Sequence, residues 1–119
     1  RKILTEEEIE REMEYVWSWI YCAAYNESSW SYLRGLVRER EKERERKIEL
    51  LQESTLQRCL DMYKSGVTSP FLLSLLADLR EKQGTVESKE EAKELFIKLS
   101  EQDIVREKYW RRRVERVAG

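Results

Sequence analysis

Any chemistry this chain performs must come from a short list of side chains. The densest group lies in Asn26-Glu27-Ser28-Ser29-Trp30-Ser31-Tyr32-Leu33-Arg34-Gly35-Leu36, where two large aromatics and an arginine follow small polar residues. Trp30 and Tyr32 are of the type that stacks on a planar ligand. Arg34, one turn beyond Trp30, is of the type that holds an anion. A second candidate is the basic tail of Arg106, Lys108, Arg111, Arg112, Arg113 and Arg116, opposed only by Glu107 and Glu115, which could meet a phosphate-bearing partner. Two cysteines, Cys22 and Cys59, complete the list. The chain has no histidine, so the commonest general base and the commonest metal ligand are both missing. A serine or cysteine triad, a zinc site or a proton shuttle within these 119 residues is not expected, and no catalytic or metal-binding residue is assigned.

Each candidate also has a structural account, and that account is the stronger one. At helical spacing within a leucine-rich face, Trp30 and Tyr32 are expected in the core. Arg34 is expected to cap carbonyls of a neighbouring hairpin or to pair with an acidic residue such as Glu27. The basic tail reads as the solvated outer face of a last helix, with Tyr109 and Trp110 fitting a packing pattern better than a base-stacking one. Cys22 and Cys59 have no CxxC spacing and sit in apolar patterns, so both are expected as small buried hydrophobes rather than a disulfide framework.

Composition narrows the rest. Charged residues make up 39% of the chain, but 23 basic and 24 acidic side chains leave a net charge of −1, so no nucleic-acid partner is expected. One Pro and four Gly, with apolar residues leaning toward Leu, Trp and Tyr, favour helix over strand. No apolar run approaches the roughly 18 residues a spanning helix needs. The segment Val16–Ala24 is too short and is interrupted by Ser18. A single domain over residues 1–119 is expected, and because the chain begins with Arg1 it is expected to be a piece of a longer one.

Helix signals then place the candidates. Thr5-Glu6-Glu7-Glu8 is a capping box opening a first helix with Ile9, Met13, Val16, Ile20 and Ala24 along one side. Tyr15, Trp19 and Cys22 form a second apolar edge, with Trp17 between the two. A second helix is expected from Ser28 or Ser29, with Trp30, Leu33 and Val37 on one face, running into an alternating-charge connector at 38–47. A third helix carries Ile48, Leu51, Thr55, Leu56, Cys59, Leu60 and Tyr63 and ends at Gly66. Ser69-Pro70 opens a fourth with Phe71, Leu72, Leu75, Leu76 and Leu79 inward. Ser88-Lys89-Glu90-Glu91 is read as the box opening a fifth, and Asp103 as the cap of a sixth carrying Ile104, Val105, Tyr109, Trp110, Val114 and Val117.

Six helices make three hairpins, and large aromatics recur on the second helix of each: Trp30, Phe71 and Trp110, spaced 41 and 39 residues apart. A repeat of this length, two helices per unit, is the signature of an α-α superhelix, so the expected fold is all-α with about three helical hairpins.

Three blocks carry a family resemblance: Glu12-Met13-Glu14-Tyr15 with Asn26-Glu27-Ser28-Ser29-Trp30-Ser31-Tyr32-Leu33-Arg34-Gly35; Thr68-Ser69-Pro70-Phe71-Leu72-Leu73-Ser74-Leu75-Leu76-Ala77-Asp78-Leu79; and Ile104-Val105-Arg106-Glu107-Lys108-Tyr109-Trp110. Read together they resemble the C-terminal third of the α subunits of protein farnesyltransferase and geranylgeranyltransferase type I. The family pattern usually has Asn after the tryptophan, where this chain has Ser31, and often Pro before the asparagine, where it has Tyr25.

The resemblance implies a helical, cytoplasmic scaffold wrapped around a catalytic β subunit. That β subunit would hold the zinc, with magnesium a further holoenzyme cofactor, while this chain binds none. The complex would transfer an isoprenoid from its diphosphate to the Cys of a CaaX protein. It makes Asn26, Ser28, Trp30, Tyr32, Leu33, Arg34, Pro70, Phe71, Tyr109 and Trp110 repeat-motif residues with structural roles, and it implies that the chain alone is inactive. A Rab-type geranylgeranyltransferase α subunit and a stand-alone helical-repeat interaction module are the alternatives. A last expectation concerns the first helix, whose surplus aromatics near Tyr15 and Trp19 should form an exposed patch able to self-associate.

Overall fold

The computed structural model describes residues 5–41 and 45–118, and it is all-α. Six helices follow one another: α1 (Glu6–Cys22), α2 (Glu27–Glu41), α3 (Glu45–Lys64), α4 (Pro70–Gln83), α5 (Val86–Gln102) and α6 (Glu107–Ala118), with one 3₁₀ turn at Ile104–Arg106. The chain divides into two compact units, Arg1–Ser54 and Thr55–Gly119. In the first, α1 packs on α2; in the second, α5 packs on both α4 and α6. The pairing expected between the third and fourth helices is not among these close ones, and Tyr63 of α3 instead receives a hydrogen bond from Lys98 of α5. The charged run 38–47 enters the ends of α2 and α3, while residues 42–44 and the side chains of Ile48 and Leu51 lie outside the described part.

The helix ends show local chemistry selecting boundaries. Thr5 caps α1 as expected: its hydroxyl accepts from the Glu8 N–H at 3.1 Å, and Glu8 reaches back to the Thr5 N–H at 3.2 Å. Gly66 closes α3 at φ +101°, with the Val67 N–H returning to the Met62 carbonyl at 3.2 Å. Pro70 is the first residue of α4, where its missing N–H costs nothing.

Three start signals resolve differently. The acceptor that opens α2 is Asn26, whose side chain takes the Ser28 N–H at 3.0 Å, rather than a serine hydroxyl. The box that opens α5 is Thr85 with Ser88, three residues earlier than read, because the Thr85 backbone is extended and the Ser88 hydroxyl returns to the Thr85 N–H at 3.0 Å. Ser69 makes no side-chain cap; its hydroxyl is buried without a hydrogen-bond partner.

Ile9, Met13, Val16, Trp17 and Ile20 are buried on α1, and Ser88, Ala92, Leu95, Phe96 and Leu99 are buried on α5. Each member of the second set lies 79 residues after its counterpart, 9 with 88 through 20 with 99. Both helices therefore bury the same 3.6-period strip, which is the internal repeat expressed in packing. Trp30, Leu33, Leu75 and Trp110 are buried as expected, but Phe71 is only half-buried. On α4 the covered strip is Leu72, Leu73, Leu75, Leu76, Ala77 and Leu79, and Phe71 sits at its edge in the first turn, so the middle repeat lacks a central aromatic. Cys59 is buried, whereas Cys22, at the last turn of α1, is exposed, contrary to the reading from its apolar surroundings.

Candidate functional site

The motif at the α1–α2 turn is built around one ring. Trp30 lies in the first turn of α2, which Asn26 holds in place, and its side chain is 2% exposed. Its indole N–H donates to the Ala24 carbonyl at 2.8 Å, so a carbonyl of the turn is satisfied from within the core. Trp17 of α1 meets it edge-on, with ring centroids 6.1 Å apart. Leu33, one turn later, is fully buried, and Arg34 is half-buried.

Tyr32 corrects an expectation. It is not core but 45% exposed, and its hydroxyl donates to the Glu12 carboxylate at 2.8 Å, tying α2 to α1 at the surface. That hydrogen bond, with some burial, raises the phenol above its ordinary range. Beside it lies an open depression of about 450 Å³ whose walls include Trp19, Cys22, Asn26, Ser29 and Tyr32.

The turn before α6 repeats the first arrangement with different atoms. Trp110 is buried, stacks on Phe96 at 6.1 Å between centroids, and donates its indole N–H to the Asp103 carboxylate at 3.0 Å. Asp103 also accepts from the Arg106 Nε at 2.9 Å, so it organises the turn instead of capping α6 through its side chain. Ile104 and Val105, expected inward, are 77% and 96% exposed, because the 3₁₀ turn they form breaks register with the buried strip of α6. Tyr109 is also largely exposed, set edge-on against Trp110.

The basic tail is not a uniformly solvated face. Arg113 turns inward and bridges to α4, pairing with Asp78 at 2.5 Å and Glu81 at 3.0 Å. Its guanidinium lies 4.5 Å from the centroid of Phe96 and donates to the Tyr109 hydroxyl at 2.9 Å. Desolvation disfavours its charge, but the bonds to Asp78 and Tyr109 more than offset this and raise its pKa. Burial alone would raise Glu81, yet hydrogen bonds from Arg116 and Arg113 hold its carboxyl below the usual range. The sequence contains both ends of this network, but Asp78 and Arg113 are 35 residues apart and no local spacing connects them.

Chemically, these arrangements close turns and join helices. Among the described residues, no group of three or more His, Cys, Asp or Glu side chains is placed to hold a metal ion, and no helix is long and apolar enough to cross a membrane. Trp30 and Trp110 come out as equivalents, whereas Pro70 and Phe71 share only their place at the start of a helix.

Fold and site together define an all-α protein with two related helical hairpins, α1–α2 and α5–α6, each closed by a tryptophan. The chain is similar to the protein farnesyltransferase/geranylgeranyltransferase type-1 subunit alpha of Dictyostelium discoideum, 32% identical over 103 residues. That match takes in 86% of this chain and 30% of the relative, so the chain spans about a third of the protein it resembles. No family model and no solved structure matches it. The similarity supports a relationship to prenyltransferase α subunits.

Proposed function

We propose that this chain is a C-terminal portion of the α subunit of a heterodimeric CaaX protein prenyltransferase. In this reading it is a helical scaffold for a catalytic β subunit, and it contributes no catalytic residue of its own. The carrying observation is the 32% identity sustained across 86% of the chain. The turn-closing tryptophans support it, since they account for the aromatic spacing without a ligand. Zinc would belong to the β subunit and magnesium to the assembled enzyme. The substrates, a CaaX protein and an isoprenoid diphosphate, would reach this chain only through the complex, in the cytoplasm. The missing histidine and the separated Cys22 and Cys59 are the reason no catalytic or zinc-binding residue is placed on this chain.

The test is affinity purification of the protein carrying this chain, followed by metal analysis and transfer assays on a CaaX peptide. The expected result is a stoichiometric second subunit containing zinc, with transfer lost when the two are separated. A stand-alone interaction module would bring down no zinc subunit and show no transfer. Activity of this chain by itself would also overturn the reading.

A further inference from the structure

We draw no further inference here: the strongest candidate, the open depression between the end of α1 and the start of α2 with Trp19, Cys22, Ser29 and Tyr32 among its walls, lies on the aromatic face of α1, and nothing in the structure shows what covers it.

Discussion

The hairpins α1–α2 and α5–α6 solve the same problem with different atoms. In the first, the Trp30 N–H goes to a backbone carbonyl at Ala24; in the second, the Trp110 N–H goes to a side-chain carboxylate at Asp103. The ring partner also changes, from an edge-on Trp17 to a stacked Phe96, at the same 6.1 Å separation. What the repeat preserves is a wide ring with a donor aimed at the turn, not the identity of its acceptor. The helices differ more on their other side. At the register where α1 exposes Tyr15 and Trp19, α5 carries Glu94 and Lys98, and Lys98 is engaged by Tyr63 while nearby Glu91 pairs with Arg80 at 2.6 Å. One helix has its flank tied to neighbours in its unit, and the other presents aromatic surface.

The largest effect should come from the two rings. Trp30→Ala and Trp110→Ala should each cost about 3–5 kcal/mol in urea unfolding monitored by circular dichroism. If either change costs less than about 1 kcal/mol, the equivalence of the two hairpins fails. Trp→Phe at the same sites keeps most of the bulk and removes the donor, so about 1–2 kcal/mol is expected, with the remaining acceptor deciding which site suffers more.

Arg113→Met sharpens the contrast, because its bridge runs from α6 to α4, outside the α5–α6 hairpin itself. Removing one cation from Asp78 and Glu81 at a partly exposed site should cost about 2 kcal/mol. Arg112→Met, on the exposed side of the same helix, should change stability by less than about 0.5 kcal/mol.

Acid should act on the same bridge. Glu81 is held below its ordinary value of 4.5, so its contribution is fully present above that pH and is lost as pH falls through the lower folded value. Chemical denaturation from pH 6 to pH 3 should show this loss, and Glu81→Gln should flatten it while lowering stability at neutral pH. An unchanged pH profile in the variant would remove Glu81 from the account.

The smallest effects separate real caps from apparent ones. Asn26→Ala and Thr85→Ala should each cost about 1 kcal/mol. Ser69→Ala should be close to neutral, since that hydroxyl makes no cap bond. A loss at Ser69 as large as at Thr85 would show that the reassigned helix starts are wrong.

Much of this was legible locally. The Thr5 box, the glycine stop at Gly66 and the proline start at Pro70 each need only atoms within one or two turns, and each was readable from its residues. Asn26 and Thr85 were missed because several capping residues crowd those segments. The choice among them depends on which neighbours must face inward: Ser29 and Ser88 are both buried. Tyr32 was misread as core because its spacing is that of a buried residue, while the covered strip of α2 runs instead through Trp30, Leu33 and Leu36.

The sequence by itself determined that this chain is helical, where most of its helices lie, and that tryptophans at 30 and 110 anchor related hairpins. Those outcomes follow from periodicity and from short-range hydrogen bonding, which act over a few residues. Only the tertiary structure decided which strip of each helix is covered, why Ile104 and Val105 point outward, and that Arg113 turns inward to Asp78 while Arg112 stays in water. Burial and ion pairing depend on atoms brought from 20 to 35 residues away, as between Tyr32 and Glu12 or Arg113 and Asp78, and no local pattern encodes that distance.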